Sequence, residues 1–228
     1  MQFSKVVALV PMRHTSLRVP GKNYRPLAGK PLFHHITATL LACPEISQVV
    51  VDTDSPVIMD SMHRFFPQVV LLERPEALRA DTIPMNEILL YDTDRFPADL
   101  YLQTHSTNPL LRSGTVSRAI HVLADQYPAY DSLFSVTRLQ RRLWDPLGRP
   151  INHNPAILLR TQDLPPVYEE NSCIYLFTRQ TLETRRNRLG ERPYLFEMDA
   201  AEALDIDDEL DFTIVDMVLK SRSGPIQP

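Results

Sequence analysis

The sequence predicts an α/β fold: a mostly parallel central sheet covered by helices on both faces. Three observations carry this. Short apolar runs of strand length recur along the chain, segments of helical period separate them, and the apolar runs do not alternate with polar residues. Strands without alternation bury both faces, which is the mark of parallel sheets packed between helices. Right-handed crossovers then place any ligand at the carboxyl ends of the strands, near the point where the strand order reverses.

The elements follow in order. KVVALV (5–10) is the first strand. LFHHITATLLAC (32–43) puts Leu32, Ile36 and Leu40 on one helix face, with His34 and His35 as ordinary helix residues about 100° apart. QVVVDT (48–53) is the second strand, PVIMDSMHRFF (56–66) a helix, and QVVLLE (68–73) the third strand. PMNEILLYDT (84–93) is helical with Pro84 in its first turn. DLYLQT (99–104) is the fourth strand. SGTVSRAIHVLADQY (113–127) is a helix with Val116, Ile120 and Leu123 on one side, and DSLFSVT (131–137) the fifth strand. From 138 to 168 the alternation stops and five prolines appear. This stretch reads as a cap, lid or oligomer arm. SCIYLF (172–177) returns as a strand. LDIDDELDFTIVDMVLK (204–220) supplies a short strand or loop and a terminal helix, and the chain looks frayed from Ser221 on. No repeat or low-complexity segment divides the chain, so residues 1–228 form one expected domain with 138–168 as its insertion.

Composition sets limits on function. A hydrophobic content of 43% with 23% charged residues suits a soluble globular chain. No apolar run is long enough to span a bilayer, and the amino terminus lacks a secretory core, which points to the cytoplasm. Cys43 and Cys173 are then expected as free thiols. A net charge of −4 argues against general nucleic-acid binding. The charge is unevenly spread: residues 1–44 carry six Lys or Arg and no acid, while 197–219 carry nine Asp or Glu and no base. These ends either face solvent separately or meet around an anion and its metal ion.

Only six glycines are present, and no G-x-G-x-x-G follows the first strand, so the dinucleotide fingerprint is missing. A P-loop is excluded too. Seven residues stand between Gly21 and Gly29, where that loop has four, and Pro31 occupies the place of its Ser or Thr. What remains is RHTSLRVPGKN (13–23), with Arg13, Arg18 and Lys22 directly after the first strand. It is either a solvated loop or a phosphate socket built from guanidinium forks and a point charge. In DIDDELDF (205–212), Asp205 and Asp207 share one face if the segment is extended, an arrangement that suits Mg²⁺. Asp208 and Glu209 suit the start of the following helix instead.

Taken together, these segments resemble the acylneuraminate cytidylyltransferases (CMP-sialic acid synthetases). VPMRHTSLRVPGKNYRPLAGKPL is similar to their opening I-P-A-R-G-G-S-K-G-I-P-x-K-N and L-x-G-K-P-L. VVVDTDS, ERPEALRADT, YLQTHSTNPLLR, SLFSVTR, YEENSCIYLF and LDIDDELDF then match further family motifs in order, covering Val6 to about Leu219. The resemblance implies a three-layer Rossmann-like nucleotidyltransferase fold, CTP and a sialic-type sugar acid as substrates, Mg²⁺, and a homodimer whose 138–168 arm crosses to the partner. Position by position, it implies that Arg13, Ser16, Lys22 and Asn23 handle the nucleotide, with Arg74, Asp81 and Thr82 near the nucleoside. Gln103 and Arg160 would face the sugar, Asp205 and Asp207 would hold the metal, and Arg13, Lys22 and Asp207 would carry the chemistry.

The chain departs from the family pattern at His14-Thr15-Ser16-Leu17-Arg18, which replaces G-G-S-K-G. It departs again in a longer loop after the fourth strand and at Ser172-Cys173, which replaces Gly-Ala. Another nucleotide and sugar pair, or a nucleotide-binding relative without turnover, are the alternative readings.

Overall fold

A computed structural model of the chain describes residues 3–16 and 18–223. Leu17 and the stretch after 223, part of the segment expected to fray, lie outside the described residues. Within the described part, Ser221 to Ser223 still belong to the terminal helix.

The strands and helices alternate as the apolar pattern requires. β1 (Val6–Leu9) is followed by a small hairpin of β2 (Pro26–Leu27) and β3 (Lys30–Pro31), then α1 (Leu32–Leu41). Next come β4 (Gln48–Thr53), α2 (Pro56–Phe65), β5 (Val70–Glu73), α3 (Met85–Arg95), β6 (Leu100–Gln103) and α4 (Ser113–Gln126). β7 (Ser132–Leu139), β8 (Val167–Phe177), α5 (Arg179–Arg185), β9 (Pro193–Glu197) and α6 (Glu209–Ser223) complete the order. Local chemistry sets several starts. Ser55 caps α2 by accepting from the Ile58 amide at 3.3 Å, with Pro56 in the first turn. Thr178 caps α5 in the same way through Thr181.

Seven strands form the main sheet in the order β5-β4-β1-β6-β8-β7-β9. β8 pairs antiparallel to both β6 and β7, and the other pairings are parallel. Helices cover both faces. Val6, Ala8 and Val10 pack with Phe33, Ile36 and Leu40 of α1, Ile58 and Met62 of α2, and Val116, Ile120 and Leu123 of α4. Val7 and Leu9 point the other way, toward Leu89 of α3 and Leu182 of α5. This period-two split is why the first strand is apolar at every position.

A third apolar cluster joins the two ends of the chain. Val19 and Leu27 from the basic end meet Ile206, Phe212 and Val215 from the acidic end, with Leu32 and Leu110. Apolar burial thus brings the oppositely charged segments together.

Four elements depart from the expected pattern. The β2–β3 hairpin, α5 and β9 carry no clear periodic signal; β9 is a half-exposed edge strand that opens with Pro193. β8 begins at Val167, five residues before SCIYLF, because half-buried Val167 and exposed Tyr168, Glu169 and Glu170 continue the ladder across a bulge. The ends of the 138–168 stretch are therefore strand: Arg138 pairs with Tyr168 and Leu139 with Val167. The loop between them is pinned by buried Asn152, which accepts from the Leu143 amide at 3.0 Å and donates to the carbonyls of Arg141 at 2.7 Å and Pro165 at 3.1 Å.

His34 and His35 are packing residues in α1, within reach of Ser61 Oγ and the Leu27 carbonyl respectively, and burial pushes both imidazoles down. Cys43 and Cys173 are free and buried. Among the described residues, no helix is long and apolar enough to cross a membrane.

Candidate active site

After β1 the chain moves to β4 and β5 on one side, and only later returns to β6 on the other. The order reverses between β1 and β6, and a cleft of about 720 Å³ opens there beside the loops that follow both strands.

The backbone beyond β1 stays extended. The amides of Val10 and Met12 bond to the carbonyls of Val50 and Asp52, which carries Arg13 to the cleft. Arg13 forms an ion pair with Asp81, and both line the cleft. His14 and Thr15, which replace small residues of the family pattern, have distinct places. The His14 amide donates to Asp54 at 2.7 Å, and its ring lies 2.8 Å from Ser55 Oγ and stacks on Tyr24, bracing the loop against the end of β4. Thr15 and Ser16 line the cleft.

Gly21 turns the chain at φ 65°, and a Cβ there would sit 2.8 Å from the Tyr24 ring. Both the left-handed conformation and the nearby ring therefore favour glycine. The turn delivers Lys22 and Asn23 inward. Asn23 Nδ2 donates to the Arg13 carbonyl at 2.7 Å, and its Oδ1 accepts from Ser106 at 2.6 Å. Asn23 thus ties the loop after β1 to the loop after β6.

Lys22 is buried, and its ammonium donates to the Ile206 carbonyl at 2.6 Å, 4.0 Å from Asp207. Burial pushes the Lys22 ammonium down, while the charges of Asp205 and Asp207 oppose that shift. Arg18 meets Asp207 at 2.7 Å. Burial also pushes the Asp205 carboxyl up, opposed by a hydrogen bond from Thr107; the neighbouring Asp207 charge raises it further. Asp208 stays out of the cleft lining and caps α6, accepting from the amides of Leu210 and Asp211, while Asp211 accepts from the amides of Asp207 and Asp208. Glu209 pairs with Arg25. The cap holds the backbone that presents Asp207.

Arg13, Ser16, Lys22, Asn23, Arg74, Asp81, Asp205 and Asp207 therefore line one cleft. Arg74 is also fully buried against Asp52, so it serves the core as well as the wall. Thr82, Gln103 and Arg160 are not part of that lining. Thr82 is exposed one residue beyond Asp81. Gln103 is buried beneath the cleft, where its Oε1 accepts from Arg188. Arg160 lies exposed on the 138–168 arm and forks onto Asp163 at 2.7 and 3.1 Å.

The cleft also contains residues that the sequence motifs did not single out. His105, Ser106 and Thr107 come from the lengthened loop after β6, so the extra length itself was the available signal. Gln103 Nε2 lies 3.1 Å from His105 Nε2. An amide NH₂ only donates, so this ring nitrogen accepts and Nδ1 carries the proton. Burial, with Arg188 and Lys22 nearby, pushes His105 down to about 4, and its ring is neutral at pH 7. Ser172 reaches the cleft from the β8 bulge with φ 59°, keeping a left-handed conformation where the family pattern has glycine.

An open α/β sheet whose switch-point cleft sets arginines and a buried lysine beside paired carboxylates defines a nucleotide-handling protein. The comparisons give the family: a family model described as cytidylyltransferase matches residues 7–218, and the chain belongs to that family. It is 28% identical over 231 residues to the CMP-N,N'-diacetyllegionaminic acid synthase of Legionella pneumophila, covering 95% of this chain and 97% of that one. It is 25% identical over 218 residues to N-acylneuraminate cytidylyltransferase A of Danio rerio, covering 92% of this chain and 50% of that protein. Among solved structures, CMP:2-keto-3-deoxy-manno-octonic acid synthetase complexed with CTP superposes with a TM-score of 0.73 at 17% identity, covering 96% of this chain and all of that one. That last likeness concerns the fold.

Proposed function

We propose that this cytidylyltransferase transfers CMP from CTP to a nonulosonic sugar acid, with Mg²⁺ as cofactor. The carrying observation is that the basic loop after β1 and the twin aspartates before α6 meet in one cleft. A hydroxyl oxygen of the acceptor attacks the α-phosphorus of CTP and forms a new P–O bond. The bond to the β-phosphate oxygen breaks, pyrophosphate leaves with the electron pair, and the hydroxyl proton passes to solvent. In such a transfer the protein chiefly positions groups and balances charge.

Arg13 and Lys22 would neutralise phosphate oxygens, Asn23 would hold the two loops in register, and Arg18 would move between Asp207 and the polyphosphate. The donor set fits magnesium. Among the described residues, no three His, Cys, Asp or Glu gather into a cage, but Asp205 and Asp207 offer the one or two carboxylates that Mg²⁺ takes when it also binds phosphates. When bound, the ion supplies Lewis-acid stabilisation of the phosphate charge.

The test is pyrophosphate release with CTP, UTP, GTP and ATP in turn, each with N-acetylneuraminic, N,N'-diacetyllegionaminic or 3-deoxy-manno-octulosonic acid. Release is expected with CTP and at least one of these acids. Nucleotide binding without release from any pair would instead support a relative that has lost turnover.

The same reading includes a homodimer built through the arm, supported by its exposed Trp144, Leu147, Ile151, Ile157 and Leu158. Apolar side chains gathered on one projecting loop are suited to cover by a second copy. Light scattering should give twice the 26.2 kDa chain mass, and Leu158→Asp should shift the chain to monomer. A monomeric parent chain would remove the dimer from the proposal.

A further inference from the structure

His105 lines the cleft with a ring whose proton is placed from behind. Gln103 Oε1 accepts from the Arg188 guanidinium, which can only donate, and Gln103 Nε2 donates to the Thr104 carbonyl at 3.1 Å. Turning this amide over would set donor against donor and acceptor against acceptor, so its orientation is fixed at both ends. Its NH₂ therefore faces His105 Nε2, 3.1 Å away, and that nitrogen must accept. The proton is left on Nδ1. Among the described residues nothing accepts from Nδ1, and the atom is not sealed from solvent.

The surroundings show what this N–H can meet. The cleft's charged lining comes from the loop after β1, from Arg74 and Asp81, and from Asp205 and Asp207. The loop after β6 and the β8 bulge supply a polar wall without charge: His105, Ser106, Thr107 and Ser172. Three of these side chains are already engaged. Ser106 donates to Asn23 at 2.6 Å, Thr107 bonds to Asp205, and Ser172 Oγ lies 3.1 Å from the Tyr175 hydroxyl. His105 keeps its donor free. The charges of Lys22 and Asp207 both act on its ring, so it stands where the phosphate-binding part of the cleft meets the neutral wall. The cationic part suits a triphosphate. A neutral wall with one placed donor suits the uncharged oxygens of a polyhydroxylated acceptor.

We propose that Arg188 and Gln103 lock His105 as an Nδ1–H donor to an acceptor oxygen, so that His105 selects the acceptor and does not serve as a general base. This rests on the transfer reaction proposed above, and the experiment separates the two. Proton–nitrogen correlation NMR of the wild-type chain at pH 7 should show His105 protonated on Nδ1. Gln103→Glu, whose carboxylate only accepts, should move the proton to Nε2. Kinetics are then measured with CTP and the best acceptor acid from the panel. His105→Gln keeps an amide against Gln103 but places nothing at Nδ1. It should raise KM for the acceptor about 3- to 10-fold, the scale of one neutral hydrogen bond, and leave KM for CTP unchanged. His105→Asn places an amide nitrogen close to the Nδ1 position and should recover most of that affinity.

An unchanged acceptor KM in His105→Gln overturns the inference. So does an equal rise in the Gln and Asn variants, which would mean that the ring only fills space. A fall in kcat of about 10²-fold or more in His105→Asn, the scale of a lost general base, overturns it in favour of proton transfer. If His105→Gln fails to fold, His105→Ala takes its place under the same criterion. A wild-type proton on Nε2 in an active chain overturns this inference alone. Silence of the wild type with every acceptor overturns the transfer reaction itself, and this inference with it.

Discussion

Asp207→Ala is expected to lower pyrophosphate release by about 10²–10³-fold, the typical cost of removing one preorganised group that stabilises charge in the transition state. Its carboxylate is half exposed, faces the cleft, and gathers Arg18 and Lys22. Asp205 stands with it beside Lys22's ammonium, and both carboxylates line the cleft. The fold should survive, because the bond from residue 207 to Asp211 uses the backbone amide, which alanine keeps. The exposed pair with Arg18 contributes only about 0–1 kcal/mol. An unchanged melting temperature with turnover above a tenth of the parent's would remove Asp207 from the chemistry.

Arg74→Met is expected to act on stability, costing about 3–5 kcal/mol, the range for removing one member of a buried ion pair. Arg74 and Asp52 are both fully buried at the end of β4, and Asp92 of α3 faces them. Burial, together with the Asp52 charge, pushes Asp92 up to about 9, so Asp92 is protonated at neutral pH and serves as a donor to Asp52. Without the guanidinium, Asp52 keeps its burial and loses its counter-charge. Denaturant unfolding reads the loss; a change under 1 kcal/mol would show that the pair contributes little.

The sign of the pH effect follows from the raised Asp92 carboxyl. The folded state holds a proton that the unfolded chain releases near 4, so this group's stabilisation is complete below about pH 4 and is lost progressively as pH rises through 9. Asp92→Asn keeps the neutral shape and should flatten that decline.

Most of the sheet was legible because β1, β4 and β6 are buried on both faces, and few other segments tolerate so many consecutive apolar residues. β9 and the first half of β8 were not, since an exposed edge strand and a polar antiparallel extension carry no such run. The charged halves of the cleft were legible from the lopsided distribution of acids and bases. What brings them together is the apolar cluster of Val19, Leu27, Ile206 and Phe212, whose members are scattered too widely to show as one pattern. Gln103 and Arg160 show what motif matching leaves out, namely the partners a side chain has in the fold: Gln103 is buried against Arg188, and Arg160 pairs with Asp163. Ser172 shows the reverse: the residue type changed while the backbone conformation stayed.

The segment that presents Asp205 and Asp207 comes after every strand of the sheet. A chain still being synthesised, with all nine strands emerged, would have its arginines in place but neither aspartate, and Lys22 would lack its Ile206 partner.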